Sequence, residues 1–278
     1  MRDFSVLKNT LNETDPLSMA DELSFWSAPF GLKLLDVIRI KPGMNVLDIG
    51  FGFGFPLIEA AVRLGKSSKI YGIDPWEDAF RITQNKIQTL GLENIELILG
   101  VAENVPLPEA YVDLIMSNNG INNVQDLSKV LSECSRIAKP GAQFAATVNL
   151  PETMIEFYSI FMDVLSDFHL GGLIPEVKEH IHKKRLPVEE IEELLVNNGF
   201  ELSEAKTESF TYRFTDGTAM FEYPFIRNNF MNHWLSLVPD DRVQDVFCEI
   251  ENRMNLISSN KGEWSLTVPF VTLSAVKK

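Results

Sequence analysis

The segment Val46–Pro56 reads VLDIGFGFGFP: an apolar run, the carboxylate of Asp48, then glycines at 50, 52 and 54. Three glycines at alternate positions after an acid-ended strand carry an entropic cost and need a reason, which points to a bound ligand. A phosphate-cradling P-loop needs Gly-Lys-Ser/Thr at its end, whereas Gly54 is followed by Phe55-Pro56. A dinucleotide loop needs Gly-x-Gly-x-x-Gly/Ala; Gly50 and Gly52 fit, but Phe55 is too bulky for the third position. A nicotinamide oxidoreductase is disfavoured on that ground. A third class has an acid two residues before the first glycine, here Asp48, and suits a ligand whose positive group lies beside the loop. A second acid, Asp74 in IYGIDP, stands 26 residues further on, where a carboxylate can accept bonds from both hydroxyls of a ribose. Pro75 and Trp76 follow it and can pack on a purine, and Ala102-Glu103 end the next strand beside the base edge.

These residues need elements to hold them. MNVLDIG, KIYGID, IELILGVA, YVDLIMSNNG and AQFAATVN read as five strands. FPLIEAAVRLG, EDAFRITQNKIQTLG and DLSKVLSECSRIA read as helices stopped by Gly65, Gly91 and Pro140-Gly141. This alternation predicts a parallel α/β sheet with helices on both faces and a ligand beyond the carboxyl ends of its strands. After Asn149 the rhythm changes. ETMIEFYSIFMDVLSDF and VEEIEELLVNNG predict helices, FELSEAKTESFTYRF one long strand or a strand pair. Two helical segments follow, near 218–237 and 240–258, and EWSLTVPFVTLSAVK alternates as an antiparallel final strand.

Composition narrows the partners. The net charge of −14 repels phosphate backbones and anionic membrane surfaces, which excludes nucleic acid as the main partner. Cys134 and Cys248 form neither a metal spacing nor a disulfide framework, so no metal is expected. The N-terminus reads as no signal peptide, and the most lipophilic run is interrupted by Glu156, Asp163 and Asp167. A cytoplasmic protein with a small-molecule substrate, no membrane insertion and a homodimer as candidate assembly is the expectation.

MNVLDIGFGFG, YGIDP, GVAENVPLPEAYVDLIMSN and LSKVLSECSRIAKPGA occur in order over about residues 41–149. Through them the chain resembles the class I S-adenosylmethionine-dependent methyltransferases, especially the ubiquinone/menaquinone-biosynthesis-like branch. The resemblance implies a Rossmann-like fold: a mostly parallel seven-stranded sheet, the last strand antiparallel, with helical inserts forming a lid. It implies a helical cap over 1–40, a cofactor-binding core over 41–150, and a C-terminal half over 151–278 whose inserts, about 151–185 and 215–262, cover the substrate cleft. S-adenosylmethionine is the implied cofactor and S-adenosylhomocysteine its product. Gly50, Phe51 and Gly52 then approach the methionyl part, Asp48 supports that end and its ammonium, Asp74 holds the ribose, Pro75 and Trp76 face the purine, Ala102 and Glu103 flank the adenine, and Asn118 lies near the sulfonium.

This chain departs from the family pattern. Phe51 and Phe53 stand where small or hydroxylated residues are usual, and are expected to narrow the pocket or turn a ring toward substrate. Val101 replaces an acid before the Ala-Glu pair, and Asn122-Asn123 stand where a histidine is frequent, so no general base is assigned. For the substrate, Trp26, Phe30, Asn119, Tyr158 and His233 are the candidates; plain packing accounts for most of the other aromatics. His180 and His182, two apart, point to different sides of a helix and suit a solvated end. The expected function is methyl transfer by in-line displacement to a small, largely apolar or aromatic acceptor. The alternative is a catalytically weak regulatory protein of the same fold that binds S-adenosylmethionine or S-adenosylhomocysteine.

Overall fold

The computed structural model describes residues 26–278. The part of the expected N-terminal cap before Trp26 lies outside the described residues. Helix α1 (Ser27–Val37) leads into β1 (Asn45–Ile49), α2 (Leu57–Leu64), β2 (Lys69–Asp74), α3 (Glu77–Leu90), β3 (Ile95–Leu99) and β4 (Val112–Asn118). A 3-10 turn at Gly120–Asn123 precedes α4 (Leu127–Ile137) and β5 (Ala138–Asn149). Then come α5 (Ile155–Asp167), α6 (Ile174–Lys184), α7 (Val188–Asn197), β6 (Phe200–Phe214) and α8 (Gly217–Glu222). Helix α9 (Pro224–Ile226) runs through a π-helical stretch, Arg227–Met231, into α10 (Asn232–Ser236); α11 (Val243–Lys261) and β7 (Trp264–Lys277) close the chain.

The seven strands lie in the order β3-β2-β1-β4-β5-β7-β6. β1 is parallel to β2 and β4, β2 to β3, and β4 to β5, while β7 is antiparallel to β5. Strand order reverses beside β1: the chain moves outward through β2 and β3, then returns to place β4 on the other flank of β1. The loops after β1 and β4 therefore diverge at one place, the position where open α/β sheets hold ligands.

Strand alternation sorts the side chains between two layers. On one face Val46, Ile70, Leu114, Met116 and Ala145 pack with Leu34 of α1 and with Leu57 and Ala61 of α2. On the other Leu47, Ile73, Ile115 and Phe144 pack with Leu131 of α4 and Leu195 of α7. Helices α2 and α3 stop as their sequences predict, at Gly65 and at a left-handed Gly91. The stop of α4 differs. The helix ends at Ile137, and Ala138 is already extended, so Pro140-Gly141 fall inside β5. A register shift against β4 between Val112 and Leu114 accommodates them.

Two compact units divide the chain. One comprises, among the described residues, 26–150, Lys184–Glu208 and Phe270–Lys278; the other comprises Pro151–Lys183 and Ser209–Pro269. The second has an aromatic core of its own. Phe157 stacks on Trp234 with centroids 4.0 Å apart, and Phe161 and Phe221 both meet Phe247. FELSEAKTESFTYRF forms one 15-residue strand, not a pair.

Candidate functional site

The glycine loop follows β1 directly and turns through left-handed backbone: φ is +77° at Gly50, +49° at Gly52 and +99° at Gly54. Only glycine adopts such angles without steric cost. Gly50 has a second reason to lack a side chain, since a Cβ there would meet Cα of Gly120 at 2.7 Å. The loop after β1 and the turn after β4 thus touch glycine to glycine. A Cβ on Gly120 would in turn strike the Ile49 carbonyl oxygen. Ser117 stitches the two ends together, donating to Ile49 O at 2.8 Å and accepting from Ile121 N at 3.1 Å.

Helix α3 holds the loop from the other side. Thr83 Oγ1 donates to Gly52 O at 2.8 Å and Lys86 Nζ to Phe53 O at 2.9 Å. Thr83 and Lys86 lie three apart on one helical face, and no motif in the sequence marks them. The signal was present in Ala79-Thr83-Ile87, the buried stripe of α3, where a polar residue interrupts an apolar series.

Asp48 shares the sheet face of Val46 and pairs in register with Gly72 and Met116. It is 0% exposed, and neither carboxylate oxygen has a hydrogen-bond partner. Burial, and then the charge of Asp74, push its carboxyl up to about 8. A bare carboxylate on an apolar face is costly unless it is neutralised by a proton or a cation. Asp74 is also raised, by burial, against the opposing pull of two backbone bonds. Its Oδ2 accepts from Gly52 N and its Oδ1 from Trp76 N, each at 2.9 Å. Four lone-pair sites less two leave the carboxylate able to take two further donors, as a ribose diol requires.

The segment after β3 is fastened to α4. Glu103 Oε1 accepts from Gln125 N and Asp126 N at 2.8 and 3.2 Å. Arg136 donates to Leu107 O and Val105 O, both at 2.9 Å, and is paired with Glu133. Ala102 is buried, while Pro75, Trp76 and Val101 are exposed. The Trp76 ring stands edge-on to Phe53, centroids 4.8 Å apart.

Beyond β4 the amides form a network. Asn118 Nδ2 donates to Ser27 O at 3.0 Å, and its Oδ1 accepts from Thr147 Oγ1 at 2.9 Å. Asn119 is left-handed, φ +57°, and its Oδ1 accepts from Asn149 N at 3.0 Å. Asn122 bonds the Asn149 side chain. Buried within this network, Asn119 Nδ2 and Asn122 Oδ1 have no hydrogen-bond partner. Helix α1 lies alongside: Trp26 and Phe30 contact each other, and Phe30 meets Phe270. A Cβ on Gly31 would run into the Phe55 ring.

The site residues read from sequence thus fall into two groups. Asp48, Gly50, Gly52, Asp74, Pro75, Trp76, Ala102, Glu103, Asn118 and Asn119 gather at the carboxyl ends of β1 to β4, with Trp26 near Asn118 through the adjoining Ser27; Phe30 is fully buried against Phe270, a core position and not a pocket wall. Phe51 belongs there by its backbone only. Its ring is fully buried over Gly72 and Leu57, so it turns into the core and not toward a substrate. Tyr158 and His233 lie in the other unit. Tyr158 is fully buried and accepts from Trp234 Nε1 at 3.0 Å, a core position. His233 is exposed, with its ring 6.0 Å from that of His180. Among the described residues no cluster of three or more His, Cys, Asp or Glu is placed to hold a metal, and no helix is long and apolar enough to cross a membrane.

Comparison with known proteins bears on this arrangement. A family model described as a methyltransferase domain matches residues 40–203. A demethylmenaquinone methyltransferase from Bacillus mycoides is 32% identical over 121 residues, 44% of this chain and 51% of the relative. The chain spans about half the length of such curated relatives. Among solved structures, a SAM dependent methyltransferase from Aquifex aeolicus is 26% identical with a TM-score of 0.51, covering 69% of this chain and 92% of its own. A geranyl diphosphate methyltransferase in complex with SAM superposes at a TM-score of 0.54 and 14% identity, covering 91% of this chain and 85% of its own.

Proposed function

Since the chain belongs to the methyltransferase-domain family, we propose that it is an S-adenosylmethionine-dependent methyltransferase acting on a small, largely apolar or aromatic acceptor. The observation that carries the reading is Asp48, a carboxylate buried without a partner at the root of a left-handed glycine loop. Its chemistry fits the cofactor: a cationic methionyl ammonium beside Asp48 supplies the charge that an apolar face cannot. Gly52, where a Cβ would meet nothing within 4 Å, leaves room for close approach, and the Asp74 carboxylate retains capacity for the ribose hydroxyls.

S-adenosylmethionine supplies a methyl group already activated on a sulfonium. The protein's task is then to align the acceptor and exclude water, and such positioning lowers a barrier by as much as ~7–11 kcal/mol. Asn119 Nδ2 and Asn122 Oδ1, buried beside the site, leave one donor and one acceptor without a partner. Trp26, half-buried and next to the Ser27 whose carbonyl receives Asn118 Nδ2, offers a ring face. The net charge of −14 favours a neutral or cationic acceptor over a polyanion. The name of the Bacillus relative, a demethylmenaquinone methyltransferase, supports an aromatic, quinone-type acceptor.

The test is calorimetric titration of wild type and Asp74→Ala with S-adenosylmethionine and S-adenosylhomocysteine. Micromolar binding by wild type and a loss of at least ~10-fold in the variant is the expected result. Wild-type protein stripped of co-purified ligand that binds neither compound would sink the assignment. Binding without turnover across lipophilic phenols, quinols and amines would favour the regulatory role.

A further inference from the structure

The site also bears on how the nucleobase is read, an inference that rests on the cofactor assignment above. With the methionyl end at Asp48 on β1 and the ribose at Asp74 on β2, the ligand runs outward across the sheet. Its base therefore lies over the end of β3, which pairs Leu99 with Asp74 and continues with Gly100 N bonded to Asp74 O at 3.1 Å.

The side chains available there are unusual in their chemistry. Val101 is 45% exposed and apolar, and Trp76, 42% exposed, follows the neighbouring strand. Glu103 is the segment's one carboxylate before Glu109, and its Oε1 already receives two backbone N–H groups where α4 begins. Oε2 keeps its own lone pairs, but the two bonds to Oε1 hold the carboxylate against α4, and turning it away toward a ligand would strip both from a helix N-terminus, the end that favours a negative charge. Glu133 and Arg136 pin Val105 and Leu107, so the segment is not free to bring Glu103 round. Asn104 is exposed and neutral, and its amide can donate or accept alike.

We propose that this chain binds the base by apolar contact with Val101 and Trp76 and by main-chain groups, with no carboxylate on the exocyclic amine, so that the site tolerates cofactors altered at purine position six. Glu103 is a positioning residue that holds the segment to α4.

Two probes read this out calorimetrically: S-adenosylhomocysteine and its 6-deaminopurine counterpart, which keeps the ring nitrogens and lacks the amine. Wild type is expected to bind both within about 5-fold, the limited discrimination of an apolar surface. Val101→Asp, at an exposed position, is expected to open a preference of at least ~10-fold for the amine-bearing form. Glu103→Gln is expected to lower the melting temperature and leave the ratio as in wild type. A wild-type preference above ~20-fold overturns the proposal, and its collapse in Glu103→Gln would name Glu103 as the reader. An unchanged ratio in a Val101→Asp protein that still binds overturns it too, because the base is then elsewhere. If wild type binds neither probe, the cofactor assignment has failed and this inference falls with it.

Discussion

Asp48 couples the site to pH. In the unfolded chain its carboxyl ionises at the ordinary 3.8, and in the fold it keeps its proton up to about 8. The folded state therefore binds more protons throughout that window. By linkage, this residue makes the ligand-free protein less stable as pH rises from about 4 to about 8, and the slope ends above that. A cationic ligand needs the ionised form, so binding below pH 8 must expel a proton. Calorimetry of S-adenosylhomocysteine at pH 6.5, repeated in buffers of different ionisation enthalpy, should report release approaching one proton, and affinity should rise toward pH 8. Asp48→Asn should abolish the release, flatten the stability slope and weaken binding by at least ~10-fold. Gly50→Ala meets two obstacles, a positive φ and the Gly120 backbone. It should cost about 1–3 kcal/mol by urea denaturation and remove detectable binding.

At the scale of elements, Arg136 is the fastening whose removal is most informative. Arg136→Ala leaves the Val105 and Leu107 carbonyls to water and frees the segment after β3. A loss of about 1–2 kcal/mol in chemical denaturation is expected, with amide exchange quickening over residues 101–110 and little change in the helices behind. Much of the element plan was legible in the sequence. The apolar runs, the helical spacing and the terminal glycines 65 and 91 are local signals, and the structure follows them. The positions of Asp48 and Asp74 were legible because each lies at or next to the end of a short apolar strand, Asp48 before the glycine loop and Asp74 before Pro75-Trp76. What escaped was non-local. Nothing around Phe51 tells whether its ring faces a ligand or the gap over Gly72, since that gap is made by a residue on another strand. Tyr158 lies in a helix of aromatics that serve equally well as core or as pocket wall. The loop ties from Thr83 and Lys86 arise from a helix that begins more than 20 residues after the loop's first glycine. The Pro140-Gly141 pair reads as a helix stop, yet the strand had already begun, because pairing with β4 outweighed the local turn chemistry.

At the scale of the whole molecule, two units with separate cores should respond separately. Trp234→Ala removes a fully buried ring from the unit containing α5 and α11, and should cost about 3–5 kcal/mol. Spectroscopic melting should show that loss in the unit that owns the ring, while stabilisation by S-adenosylhomocysteine should originate in the unit carrying the glycine loop. The placement of the four tryptophans makes this distinction observable without a label. Trp234 and Trp264 are sealed, their indole N–H groups bound to Tyr158 and to Met220 Sδ. Trp76 is open to water on the ledge where the base is proposed to lie. An aqueous quencher such as acrylamide will extinguish the red-shifted emission of Trp76, and in part that of the half-buried Trp26, and leave the blue emission of the sealed pair. Ligand occupancy and the integrity of the aromatic core can then be followed as two colours of one intrinsic fluorescence spectrum.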